Sequence, residues 1–584
     1  MVLDLPSDPK GASGGSGAKA FADAILATAG LDFAATALRL LELKACCRCC
    51  LRFAGCQAPL LYCQPAPAPA ELHHELKAAQ GNSPESPTLP AVDHQPWVCC
   101  VCLGALQQGE EWRSNCTHEA PLASRADPAS PAWAEAPHPE GGVWHELGHG
   151  LERHTPLAER LTHSIQAEAH QFSEFDLEIL VPSASELRTK AMKAALKRDG
   201  LLLSEELSLN IALRNHLLPT IEKATGASYV RGAGMQITLA LHHASIAEEA
   251  RGLLSEAGPS AKTGRKRKHG WHGRGGAATA GVAPGHELLV KQCSRRALQE
   301  AAEALSDGQL EERCGMPPRP NLSEPAAAAV RCMRRADGGA SGGAYLLAGR
   351  YRKLRRGLSQ SPWIIDGAQK GSGSVQELIE SWAMPHLKAD SCKFVTAGRE
   401  DIDVRMLGNG RPFILEIFNP RSLMPPPEVW ETLAKDLKQA DLGVEVVAPQ
   451  GVSRDLYSRM KEGESEKEKT YAAVVWLSRA ITPDDIAAIG AYQSLAIQQA
   501  TPVRVLHRRA ALTRERLILH MSMERVPGCP QYGVLTLKTS AGTYIKEFVH
   551  GDFGRTQPNL GSLLGCKAQI LQLDVLDVHL DFLS

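Results

Sequence analysis

Asp401 and Asp403 stand in Gly398-Arg-Glu-Asp-Ile-Asp-Val-Arg405, and Lys546 follows Ile545 in Gly542-Thr-Tyr-Ile-Lys-Glu-Phe-Val-His-Gly-Asp552. The first segment offers a carboxylate where an apolar strand is expected to begin. The second offers a cation beside an apolar residue, just after another strand. A carboxylate with a cation at hand stays ionised and can act as a nucleophile. The bland alternative is a strand carrying a surface ion-pair ladder, since Asp401, Asp403 and Arg405 alternate with Ile402 and Val404. Gly-Arg-x-Asp alone is a weak motif.

A second chemistry lies in Cys46-Cys-Arg-Cys49 and Cys99-Cys-Val-Cys102. Two C-x₂-C knuckles supply four thiolates, the number a closed structural zinc site requires. Adjacent cysteines leave the register open, because Cys47 and Cys50 have the same spacing. His145-Glu-Leu-Gly-His149 matches H-E-x-x-H, in which two histidines one helical turn apart bind zinc and the glutamate is the base. Glu152 and Thr155 stand where the wider motif of such proteases has Gly and His. The flanks, Pro137-His-Pro-Glu-Gly-Gly142 and Gly150, suit no long helix, so a chance match in an insertion is the reading preferred. In Arg350-Tyr-Arg-Lys-Leu-Arg-Arg356 basic residues enclose Tyr351, with Trp363 following. Charge interleaved with aromatics suits RNA, so Arg350, Arg352, Lys353, Arg355 and Arg356 are RNA-contact candidates. Arg265-Lys-Arg-Lys-His269, in a Gly-rich stretch, fits a nuclear signal or an RNA-grazing tail.

These sites need a scaffold. At 584 residues, with 43% hydrophobic and 22% charged residues, the chain has room for several globular domains. Its net charge of −1 makes it no polycation, so an RNA site must be a local patch. The start lacks a signal-peptide pattern and no stretch approaches the roughly 18 apolar residues of a membrane span. An intracellular, reducing setting in nucleus or cytoplasm is expected, which favours metal over disulfide for the cysteines. Gly/Pro/Ala-rich stretches at 8–19, 64–90, 117–143, 254–285 and 336–344 read as linkers or disordered insertions. They mark off a disordered start (1–19), a helical and knuckle region (20–116), an insertion (117–170), an α/β module (171–335) and a strand-rich region (345–584). Expected helices include Phe21, Ile25, Leu26 and then Leu38, Leu40 and Leu41. In the module, Phe175–Pro182 reads as a strand, followed by a Lys/Ala helix and the strand Met235–Leu241. Further strands are expected at Trp363–Asp366, Pro412–Phe418, Tyr471–Trp476, Gly533–Lys538 and Ile570–Val575, several with half-buried alternation.

Taken in order, these segments resemble the archaeal and eukaryotic tRNA pseudouridine synthase 10 family. The likeness spans 345–584 and the knuckles, through Gly398–Arg405, Lys469-Thr-Tyr471, Thr501-Pro-Val-Arg-Val-Leu-His-Arg-Arg509 and Gly542–Arg555, and only loosely the middle module. It favours Cys46, Cys49, Cys99 and Cys102 as zinc ligands, since Leu51-Arg-Phe53 and Leu103-Gly104 fit the family's knuckles. It implies Asp401 as nucleophile, last in a Gly-Arg-x-Asp motif. Arg399 would help evict the target nucleotide, Tyr471 would stack on the base, Ile545 would pack beneath it and Lys546 would pair with Asp401. The implied fold is α+β, with a central, mainly antiparallel catalytic sheet and a zinc-bearing, THUMP-like α/β N-terminal half that holds tRNA. The implied activity is isomerisation of uridine in the TΨC arm at position 55, with 54 left open. It would proceed in a monomer without an organic cofactor. Two other functions compete: a non-catalytic RNA-binding or scaffolding protein, and an H-E-x-x-H metalloprotease.

Overall fold

The computed structural model describes residues 16–81, 97–107, 145–147, 157–243, 300–319, 326–335, 345–365, 368–369, 373–463, 467–507, 509–580 and 583. The chain divides into two units, Met1–Arg334 and Arg335–Ser584. In the first, strands β1 (His145–Glu146), β2 (Glu174–Leu180), β3 (Ser228–Tyr229), β4 (Met235–His242) and β5 (Ala327–Arg334) form a sheet in the order β1-β5-β4-β2-β3. A single core runs from Phe21, Ile25 and Leu40 on the N-terminal helices to Leu213, Ile237 and Val330. The segments expected as 20–116 and 171–335 therefore share one hydrophobic interior. The stretch 64–90 is not all linker. Pro69–Ala79 is a helix with Leu72 and Leu76 fully buried one turn apart; proline at its start is compatible with the first turn. The alanines there serve helix propensity, which a composition-based reading took for disorder.

The second unit is built on one sheet. Its strands are β6 (Tyr345–Lys353), the small hairpin β7 (Ile364–Ile365) and β8 (Ala368–Gln369), β9 (Ser391–Thr396), β10 (Val404–Phe418), β11 (Val444–Gly451), β12 (Lys469–Leu477), β13 (Gln493–Ala500), β14 (Thr513–Arg525), β15 (Tyr532–Thr539), β16 (Thr556–Gln557) and β17 (Ala568–Val578). The order is β11-β6-β10-β17-β12-β15-β14-β13-β16, with β9 also on β10 and β7–β8 separate. Among the described strands of this sheet only β10 and β17 run parallel. The α+β, mainly antiparallel architecture is as expected, although Trp363–Asp366 contributes only the two-residue β7. Period-two burial is plain in β12, where Ala473, Val475 and Leu477 are fully buried. The helix Pro427–Gln439 packs on β11 and buries Trp430, Ala434 and Leu437 at helical spacing.

The turn that links β9 to β10 is fastened from below. Gly398 takes a left-handed φ of +85° there, the conformation for which glycine carries no steric cost. Glu400 points inward and pairs with Arg411 of β10 at 2.7 Å, both side chains almost wholly buried. The Tyr351 hydroxyl of β6 lies 2.9 and 3.0 Å from the two Glu400 oxygens. Gln360 Nε2 donates to that hydroxyl at 2.8 Å and to the Gly398 carbonyl at 2.9 Å. Arg411 Nη1 donates to the Ala397 carbonyl at 2.8 Å. Burial acts against the Arg411 charge, and Glu400 outweighs it, so its pKa lies above the ordinary guanidinium value.

Removing one member of such a pair leaves an unbalanced charge in the interior. Glu400→Gln is thus expected to destabilise the protein by about 3–5 kcal/mol, read as a lower urea midpoint. The double variant Glu400→Leu/Arg411→Met should recover much of that loss. Equal midpoints for wild type and Glu400→Gln would show that the pair carries no such stability.

Candidate active site

Asp401 does not lie in a strand. Residues 401–403 form a turn closed by Val404 N–H donating to the Asp401 carbonyl at 3.0 Å, and β10 begins only at Val404. Glu400, turned into the core, fixes the direction of its neighbour, whose side chain is one-third exposed. Around the Asp401 carboxylate the short turn Val503–Val505 and the helix Ile545–His550 bring two cations. Arg504 Nη1 is 2.9 Å from Asp401 Oδ2, and Lys546 Nζ is 3.5 Å from the same oxygen.

The expected pairing of Lys546 with Asp401 is present, but the ammonium is shared with Asp403. The ammonium makes its shorter contacts with Asp403, at 2.7 and 2.9 Å, and only a longer one with Asp401. Partial burial would raise the Asp403 pKa, but the hydrogen bond and charge of Lys546 prevail and hold it below the usual carboxylate range. Nor is Asp403 a neighbour of Asp401 on one strand face: both belong to the turn, and Asp403 is the more exposed, at 61% against 33%. The cation nearest Asp401 is Arg504, in the short 3₁₀ turn Val503–Val505. Its Nε donates to Glu547 Oε1 at 2.7 Å, and Glu547 is 2% exposed. One guanidinium thus bridges a buried carboxylate and the open one. Thr501-Pro-Val-Arg504 already carried part of the family resemblance, yet nothing in the sequence gave Arg504 a partner. Glu547 also went unremarked, one residue beyond Lys546.

Ile545 is buried on the helix that packs against β17. Tyr471 lies on β12 opposite Val575 of β17, which in turn is opposite Met406 of β10. Burial pushes its phenol up to about 12, so the ring is neutral at physiological pH. Arg399, the residue before Glu400, is exposed and accessible to a ligand.

The basic run 350–356 behaves differently from a phosphate-binding stripe. Most of it is the central strand β6, between β11 and β10, where a polar side chain must find an internal partner. Lys353 is fully buried, and its Nζ donates to the carbonyls of Leu358 at 2.8 Å, Asp401 at 3.0 Å and Ile402 at 3.4 Å. Burial lowers its pKa. Arg356 Nη1 donates to the carbonyls of Asp403 at 2.7 Å and Leu573 at 2.8 Å, and Nη2 meets Asp574 at 2.5 Å. Arg352 bonds the Gly408 carbonyl at 2.6 Å and Glu445 at 3.1 Å, and Arg350 bonds the carbonyls of Gly410 and Leu580. Tyr351 belongs to the Glu400 network. Of the five candidates for RNA contact, Arg355 alone is classed as exposed. The run holds the carbonyls of the turn that presents Asp401.

In the other unit Cys46, Cys49, Cys99 and Cys102 converge, fully buried, with their Sγ atoms all within 4.8 Å of one another. The Cys46–Cys102 and Cys49–Cys99 distances are 3.8 and 3.7 Å. A disulfide would need about 2.05 Å. Four thiolates about 2.3 Å from a tetrahedral centre lie about 3.8 Å apart, so the donor set fits a four-sulfur metal centre. The register is that of Cys46 and Cys49, since Cys47 bonds the Pro67 carbonyl and Cys50 the Ala37 carbonyl instead. His145 lies on β1 opposite Val330, not on a helix, and its imidazole meets Glu168. Successive strand residues face opposite ways, which is not the one-sided histidine pair that a zinc helix presents. The Glu146 side chain, His149 and the run 265–269 lie outside the described residues.

Residues 346–579 match the family model described as Pus10, C-terminal. Over 240 residues the chain is 47% identical to the human protein described as tRNA pseudouridine synthase Pus10, a match covering 41% of this chain and 45% of that one. It is 40% identical over 239 residues to the putative tRNA pseudouridine synthase Pus10 of Drosophila melanogaster, covering 40% and 47%. The corresponding archaeal protein of Thermofilum pendens is 37% identical over 234 residues, covering 40% and 52%. The chain spans about half the length of these curated relatives. The matched segment contains the turn, both cations, Tyr471 and the buried Glu400–Arg411 pair, so the likeness of this chain to the Pus10 proteins lies in its C-terminal unit.

Proposed function

We propose that the protein is a tRNA pseudouridine synthase in which Asp401 is the nucleophile. The observation that carries this reading is the Asp401 carboxylate itself, partly open on a rigid turn and held at 2.9 Å by an anchored guanidinium. The reaction class requires one such carboxylate. The C1′–N1 bond of uridine is broken, the uracil turns, a C1′–C5 bond forms and the C5 proton is lost while N1 gains one. Atoms and electrons balance within the nucleoside, so no organic cofactor is needed. Asp401 forms and then releases its covalent bond, to the base or to the sugar. Arg504 orients the carboxylate from one side. Lys546, between the two aspartates, contributes positive charge that also serves an approaching phosphate. Tyr471 supplies a neutral aromatic wall and Ile545 an apolar one, which suits a uracil drawn out of its stack. The substrate proposed is the TΨC arm of tRNA, at position 55 with 54 as the further candidate. The four cysteines of the N-terminal unit would hold one structural zinc, stabilising the fold by tying the 46–49 and 99–102 segments together. On this reading they take no part in the isomerisation.

Asp401→Asn retains the shape of the side chain and removes its nucleophilic anion. It is expected to abolish pseudouridine formation while tRNA binding stays near wild type, because binding is spread over many phosphate contacts. Asp403→Asn should retain measurable activity, and Lys546→Met and Arg504→Met should lie between the two. Single-turnover rates on a tRNA transcript decide this. An inactive Asp403→Asn beside an active Asp401→Asn would move the nucleophile two residues along the turn. Zinc is expected at about one per chain in freshly purified, reduced protein, measured by elemental analysis, with a lower melting temperature in Cys99→Ser/Cys102→Ser. Metal-free protein with an unchanged melting temperature would remove zinc from the account.

A further inference from the structure

The turn Gly551–Gly554, directly after the helix that bears Ile545 and Lys546, holds two consecutive non-glycine residues in the left-handed region. Asp552 has φ 46° and ψ 53°, and Phe553 has φ 57° and ψ 36°. A bulky residue there is a steric outlier and persists only where its surroundings impose it. Here they do. Asp552 is 6% exposed, and its Oδ2 accepts from Val503 N–H at 3.2 Å and faces Arg555 Nε at 3.5 Å. Asp552 N–H donates to His550 Nδ1 at 3.1 Å, and Arg555 Nη2 donates to the Thr501 carbonyl at 2.6 Å. The result of this fastening is that the Phe553 ring stands 96% exposed. A single exposed apolar residue needs no explanation. An aromatic ring held out in water by a costly backbone with a buried anchor does call for one.

Its location narrows the ligand. Val503, which Asp552 anchors, immediately precedes Arg504, and Arg504 contacts Asp401. Val503 is itself 49% exposed, and Arg509 and Arg514, a few residues beyond Arg504, are exposed as well. A flat apolar ring on a turn fastened to the segment that carries Arg504, with exposed arginines further along that segment, matches single-stranded RNA, whose bases stack on aromatics while its phosphates meet arginines. We propose that Phe553 is a stacking platform for a nucleobase adjacent to the uridine being isomerised, holding the loop open while that uridine occupies the site. This rests on the synthase reading above, and it assigns Phe553 to recognition of RNA without a part in the bond-making steps.

The test uses the full chain and TΨC stem-loop RNAs carrying 2-aminopurine at single loop positions beside the target uridine. Wild type should quench the fluorescence at one of these positions. Phe553→Ala and Phe553→Gly should abolish that quenching and weaken binding about tenfold or more, and Phe553→Trp should restore both. Phe553→Gly separates recognition from folding, because glycine accepts this φ without penalty: its melting temperature should match or exceed that of wild type. Quenching and affinity unchanged in Phe553→Gly would overturn the proposal, as would a wild type that converts uridine without quenching at any loop position. Ring-dependent quenching by a wild type that converts no uridine would uphold the platform and sink the synthase reading instead.

Discussion

A carboxylate and a guanidinium buried together beneath one turn set the geometry of the segment that presents Asp401. Glu400 and Arg411 are each almost completely removed from water, a placement whose desolvation cost the mutual attraction offsets only with close geometry and further hydrogen bonds. Tyr351 and Gln360 supply those bonds from β6 and the segment after it, and Arg411 reaches back to the Ala397 carbonyl. The turn cannot rotate without breaking this network. Since side chains of adjacent residues diverge, driving Glu400 inward turns Asp401 toward solvent. The value of the pair lies in the single orientation it enforces more than in net stability.

The same constraint explains why the basic strand β6 faces inward. A turn with an inward carboxylate leaves its carbonyls directed toward the neighbouring strand, where each needs a donor. Lys353 serves the carbonyls of Asp401 and Ile402, and Arg356 serves that of Asp403. With its backbone satisfied, the turn leaves the two carboxylates free to engage Arg504 and Lys546. The long cationic side chains act as fixed struts, their charge exploited for hydrogen bonding in the interior of the unit.

Much of this was legible in the sequence, and the remainder was hidden for identifiable reasons. Period-two burial marked β12 and β17, and helical spacing marked the first helices, because burial on one face writes its period into the residues. Asp401, Tyr471, Ile545 and Lys546 were singled out through motif order. β6 was missed since Arg350, Arg352, Lys353 and Arg356 look like solvent-facing charge, and only sheet topology reveals that the strand is central. The 69–79 helix was missed because alanine and proline read as linker composition. Arg504 was in view without a role: its partners, Asp401 and Glu547, are 103 and 43 residues away in sequence, and no local pattern encodes such a contact. The knuckle register was ambiguous in sequence and is resolved only when Cys47 and Cys50 are seen bonded to backbone carbonyls.

The distribution of cations around the turn has a consequence for how the site would meet an RNA on the proposed reading. Arg504 is held by the buried Glu547, and Lys546 lies between the two aspartates, so the charges nearest Asp401 are already matched by carboxylates. Matched charge orients groups but attracts phosphate weakly at a distance, and the chain as a whole carries a formal charge of only −1. Long-range attraction must then come from residues such as Arg399, Arg509 and Arg514, which are exposed beyond this inner set. An inner set of matched charges with an outer set of exposed cations separates orientation from attraction. On the proposed synthase reading, that separation keeps Asp401 fixed while exposed arginines attract the RNA backbone.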